Sequence, residues 1–251
     1  MRLHVHSGQS NQKGVMRSVN TLRSCFVCLL LVGAAHSSLA EAADAPDSLE
    51  ARVTSFIMYP PIDAVPYAEI EAFGPAALPT LRKLLDNPEY EKFHSQVLTM
   101  LGNLGDASDT PRLNKYIIGR YSGEIDDQRL TNVFAALMAL GCLSDRDPAA
   151  LGLLRRYANP KSFAQVPFTS AGRSEEYLRL LLSKIAINGI GLSGRPEAEA
   201  LLTELKRRPY DKAQIPNVDD AIPRHRAIVK VGRAHYSREL TRQAQENGGR
   251  K

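Results

Sequence analysis

Leu101-Gly102-Asn103-Leu104-Gly105-Asp106 closes one apolar helical pattern. The chain repeats the device as Leu140-Gly141-Cys142-Leu143-Ser144-Asp145 and again as Asn188-Gly189-Ile190-Gly191-Leu192-Ser193-Gly194. After each short break a proline opens the next pattern, and Pro75, Pro111, Pro148 and Pro196 follow one another at intervals of 36, 37 and 48 residues. A helix pair cannot bury its apolar face alone, so pairs recurring at this interval stack on one another. The cadence predicts an all-α fold, an α-solenoid of stacked antiparallel helix pairs over residues 62–208, with the glycines read as helix-ending turns.

The apolar spacing carries the same message between the breaks. Leu78, Leu81 and Leu85 share one helical face, as do Val97, Leu101 and Leu104, then Leu130, Phe134, Leu137 and Leu140, then Leu201, Leu202 and Leu205. Leu178, Leu181, Leu182, Ile185, Ile187 and Ile190 are apolar on more than one side, which predicts a helix buried between neighbours. Asn87, Asp126, Asp147 and Ser174 stand where N-caps are needed. Pro79 is expected to bend its helix. Residues 160–173, with Pro160, Pro167 and Gly172, break the rhythm and read as a loop insertion. Pro209, Pro216 and Pro223 mark residues 209–223 as a loop. Residues 224–251 then form a charged capping helix, with Ile228, Val231 and Leu240 inward, and a disordered tail.

At the other end, residues 1–40 hold four cations, Arg2, Lys13, Arg17 and Arg23, no acidic residue, and an apolar run from Cys25 to Ala35. That run is shorter than the roughly 20 residues needed to cross a bilayer, so the layout reads as a secretory signal cleaved after Ala40, with Met1 or Met16 as start. Residues 41–61 follow as a tether and short N-terminal cap. The expected location is periplasmic or secreted, without stable membrane insertion. Removing the leader leaves 28 basic against 27 acidic side chains, so the net charge of +5 belongs largely to the leader and nucleic acid is excluded as the expected partner. Cys25 and Cys28 form a CxxC inside the apolar run, which leaves Cys142 as the cysteine of the exported part.

Phe73-Gly74-Pro75-Ala76-Ala77-Leu78-Pro79-Thr80-Leu81 and Leu101-Gly102-Asn103-Leu104-Gly105-Asp106 resemble the two halves of the HEAT repeat, in particular its bacterial versions. The resemblance covers about residues 62–208 and weakens where Ser144 replaces a glycine and where the insertion intrudes. It implies a solenoid whose second helices line a concave face, and a role in binding another protein. No motif here carries over the chromophore chemistry found in some of the broad class.

Candidate contacts for that partner follow from position. Arg82 and Lys83, Arg120, Arg155 and Arg156, and Arg207 with its neighbours Lys206 and Arg208 come at the ends of successive second helices and would line up as a basic stripe. Cations at helix C-termini are equally what the macrodipole favours without any ligand. Tyr116 and Tyr157 are either anchors of the same surface or packing residues, since tyrosine has an apolar body and a polar tip. His94, His225 and His235 have no second His or Cys three or four residues away, so neither a metal nor a catalytic site is expected, and no cofactor. The reading is a non-enzymatic scaffold. An enzyme or enzyme accessory using Lys161, Gln165, Thr169 and Arg173 of the insertion is the alternative.

Overall fold

A computed structural model of the protein describes residues 48–59 and 67–248. The leader with its cleavage point, the CxxC, Pro60-Pro61 and residues 249–251 lie outside the described residues. Eleven α-helices account for most of the described chain, which is therefore all-α in class.

The N-terminal part runs through α1 (Leu49–Met58), α2 (Tyr67–Phe73) and α3 (Leu78–Asp86), then α4 (His94–Leu104) and α5 (Asp109–Gly119). A three-residue strand, β1 (Gly123–Ile125), leads to α6 (Asp127–Leu143) and α7 (Pro148–Tyr157). Strand β2 (Phe168–Ser170) precedes α8 (Glu175–Ile190), α9 (Glu197–Arg207), α10 (Ile215–Val231) and α11 (Arg233–Gly248). The starts are fixed locally. Asp126 accepts from the Arg129 amide at 2.8 Å, Asp147 from the Ala149 amide at 3.0 Å and Ser174 from the Tyr177 amide at 3.2 Å. Each satisfies an amide that the first helical turn cannot.

Helices α4, α6, α8 and α10 pack in chain order, each on the next, while α5 lies on α6, α7 on both α6 and α8, and α9 on α10. One apolar core runs through all of them, from Val53 and Ile57 to Val218 and Ala221. The repeated glycines are the points of contact. Gly102, Gly141 and Gly189 lie inside helices rather than in the turns after them. A Cβ on Gly102 would sit 2.7 Å from the Ala139 Cα, one on Gly141 2.2 Å from the Gly189 carbonyl oxygen, and one on Gly191 2.8 Å from the Ala221 Cβ. Successive helices thus touch backbone to backbone at α4/α6, α6/α8 and α8/α10. The expectation of helix-ending turns placed these residues correctly in the chain and misjudged their task.

Three other expectations are corrected. Pro79 falls in the first turn of α3, after a short 3-10 turn over Pro75–Ala77, where its missing amide hydrogen has no intrahelical partner to lose, so no bend is required. Residues 209–223 are not a loop throughout: Asp211 and Gln214 form a capping box, and α10 starts at Ile215 and continues through Pro223. The helix expected from residue 224 is broken at Gly232, whose φ of +79° favours glycine, and Val231 and Leu240 are exposed whereas Ile228 is buried. Helix α11 also turns back to pack on α2.

The insertion is a packed element as well. Phe163 and Phe168 are buried, the Phe163 ring stacks on Tyr157 at 5.0 Å, and β2 pairs in parallel with β1 in the register Gly123–Phe168, Glu124–Thr169 and Ile125–Ser170. Two loops from neighbouring helix pairs are joined there, a link that three-residue strands do not announce in sequence.

Gly141→Ala is expected to cost about 1–3 kcal/mol through overpacking, lowering the melting temperature by about 2–4 °C for each kcal/mol in a chain of this size. Gly152→Ala, at an exposed position within α7 with nothing near its Cβ, is expected to raise stability by about 0.5–1 kcal/mol. Thermal melts followed by circular dichroism check both.

Candidate recognition surface

The expected basic stripe is resolved into pairs. The Arg82 fork donates from Nε to Asp109 Oδ1 at 2.9 Å and from Nη2 to Asp109 Oδ2 at 2.8 Å, and Nη2 also reaches Asp106 and Ser108. The Asp109 carboxylate is fully buried and also accepts from the Asp106 amide at 3.1 Å, so Arg82 and Asp109 form a joint between α3 and α5. Hydrogen bonds from Ser108, with the Arg82 guanidinium, hold the Asp106 carboxyl down at about 2. In return, Arg112 of α5 donates to Asp86 at the end of α3 at 2.7 Å.

The same cross-linking continues along the second helices. Arg156 lies over the Tyr157 ring at 5.0 Å and donates to Asn114 of α5 at 3.0 Å, Arg155 faces Glu204 of α9 at 3.7 Å, and Lys206 pairs with Asp219 of α10 at 2.7 Å. Lys83 reaches Glu50 of α1 at 2.6 Å. The row is therefore a seam of alternating sign. Each of these five cations has a carboxylate or amide on an adjacent helix, and exposed pairs of this kind contribute little stability individually. Arg120 lies 6.0 Å from the Tyr116 ring. Arg155, Arg207 and Arg208 are exposed, and the last two line an open groove on α9 with Glu199, Ala200, Thr203 and Glu204.

Tyr116 and Tyr157 are packing residues, 5% and 1% exposed, and so cannot anchor a partner. The Tyr157 hydroxyl donates to Asn114 at 2.5 Å. The Tyr116 hydroxyl belongs to a buried chain that sequence reasoning missed. The His94 Nε2 is 3.3 Å from the Asn87 carbonyl, which only accepts, so that nitrogen carries the proton and Nδ1 accepts from the Tyr116 hydroxyl at 2.8 Å. Tyr116 in turn accepts from Tyr121 at 2.7 Å, and Tyr121 from the Asn132 amide at 3.2 Å. The chain runs one way, from an amide donor to a carbonyl acceptor, and ties α4, α5 and α6 together. Its only trace in sequence is a polar residue, Asn132, among the apolar residues of α6.

His225 Nδ1 donates to the Ser193 main-chain carbonyl at 2.6 Å rather than meeting a hydroxyl, and the Ser193 and Ser144 hydroxyls are 2.8 Å apart, with Ser144 donating to the Gly141 carbonyl. Ser144, the departure from the repeat pattern, thus links two turns. Among the described residues no three His, Cys, Asp or Glu side chains gather to hold a metal ion. In the insertion, Lys161, Gln165 and Thr169 are exposed, while Arg173 donates to Asp127 and Ser170, each at 2.7 Å. No described helix is long and apolar enough to cross a membrane.

Burial, followed by the nearby Arg120 charge, lowers the His94 pKa below its ordinary 6.5. The unfolded chain then binds the extra proton more readily, so stability is complete above about pH 6.5 and is lost as pH falls below it. Melts at pH 7.5 and pH 5 are expected to show this loss, and His94→Gln is expected to lower stability at pH 7.5 while flattening the dependence between the two. Compared with protein-family models, with curated proteins and with solved structures, the chain matches none.

Proposed function

We propose that the chain is an exported HEAT-like α-solenoid, without enzymatic activity, that holds a protein partner on its concave face, along its second helices. The observation that carries the reading is the order of packing: α4, α6, α8 and α10 touch in chain order through equivalent small residues. That is how stacked units share a core, and in this reading α5, α7 and α9 are the second helices that face the partner.

On these helices stand Lys115, Ile118, Arg155, Glu204, Arg207 and Arg208, all exposed. Rigid helices hold these side chains in place before a partner arrives, which reduces the ordering cost of association. Lys115, Arg155, Arg207 and Arg208 favour a partner with acidic side chains, and Ile118, 40% exposed, offers an apolar contact among them. Of the contacts expected from sequence, Arg155 and Arg207 are retained in this reading, and Arg82, Tyr116 and Tyr157 are not.

Affinity capture from envelope extract with the mature chain identifies what is retained. Arg155→Glu combined with Arg207→Glu is expected to reduce retention of the identified partner at least tenfold with an unchanged melting temperature, since a like-charge contact opposes association. Unchanged retention would remove this surface from the proposal. Export makes its own prediction: intact mass of the protein recovered from the periplasm is expected to fit a chain beginning at Glu41.

A further inference from the structure

We infer that α11 is a latch, a detachable helix that closes the array by joining its first and last parts, and that Arg233 is its bolt. Three segments far apart in sequence meet at one place. Arg233, at the start of α11, donates to the Cys142 main-chain carbonyl at 2.5 Å and pairs with Asp145, just beyond the end of α6. The Tyr67 hydroxyl of α2 lies 3.8 Å from Cys142 Sγ and is near enough to Arg233 and Ser237 of α11 to interact with both. The Arg233 side chain is 10% exposed although its helix lies at the surface.

Over the first half of α11, what holds the helix is polar. Of its side chains from Arg233 to Leu240, none is buried, whereas α10 places Val218, Ala221, His225 and Ile228 in the interior. With little apolar area removed from water, the hydrophobic contribution to docking is small, and the guanidinium at the joint supplies a large part of what remains. The contact does for α6 what Arg146 does for α4: Arg146 donates to the Gly102 and Asn103 carbonyls at 2.7 and 2.6 Å, neutralising the open end of that helix from a neighbouring turn. Gly232 between α10 and α11 supplies the hinge. An element held at one charged joint next to a glycine hinge belongs to the low-stability end of the molecule, and it opens without unfolding the core.

Cys142 reports on the opening, because Tyr67 and Arg233 close over it and it is 7% exposed. The full chain is treated with a maleimide, and modification at Cys142 is followed by mass spectrometry of its peptide, alongside hydrogen exchange and a thermal melt. Arg233→Ala is expected to speed Cys142 labelling about 10- to 100-fold, the effect of losing hydrogen bonds to a charged group. Exchange should quicken in α2 and α11 but not in α6 or α8. Arg233→Lys, which keeps the charge and loses the two-pronged fork, is expected to fall between the two. An unchanged labelling rate overturns the latch. So does faster labelling accompanied by faster exchange throughout α6 and α8, because that pattern reports general loosening.

Discussion

The close approach of α4, α6, α8 and α10 is the constraint on which the rest of the molecule depends. Helices normally pack 8–10 Å apart according to the side chains between them, and glycine at the crossing removes the side chain. Gly141 and Gly189 face each other with no room for a methyl group. The distance between successive units is therefore set by backbone, and the leucines around each crossing only have to fill what is left. Leu101, Leu137 and Leu140, all fully buried, do so. Each such side chain contributes about 1.5–3 kcal/mol by leaving water, before the entropy of ordering is subtracted.

Polar groups then determine orientation where apolar packing alone would allow sliding. The turns are joined in sequence, α4 to α6 through Arg146 and α6 to α8 through Asp145, which accepts from the Gly194 amide at 2.6 Å. The buried line from Asn132 to His94 adds direction, since each hydroxyl donates once. Removing one member strands its neighbours in a low-dielectric interior, and that asymmetry makes such a network specify one arrangement.

The parts of the fold legible in sequence were those with local causes. The N-caps at Asp126, Asp147 and Ser174, the apolar faces of α3 to α9 and the proline starts all follow from residues within one turn of each other. What escaped depends on distant partners. Pro223 reads as a breaker, yet α10 passes through it because Val218, Ala221 and Ile228 on either side are held in the core. Arg82 and Arg156 looked like ligands because their acceptors, Asp109 and Asn114, lie 27 and 42 residues away. Tyr157 carries nothing in its surroundings that foretells the Phe163 ring stacked on it. The proposed contact surface is legible in sequence only as cations at helix ends. Which of them are engaged became visible only with the neighbouring helix in place.

The parallel ribbon formed by β1 and β2 has a mechanical consequence. It joins the connection before α6 to the connection before α8, so those two helices are tied at the glycine crossing and also through the segments that precede them. Two separated attachments resist twisting as well as sliding, so α6 and α8 are held in one relative orientation.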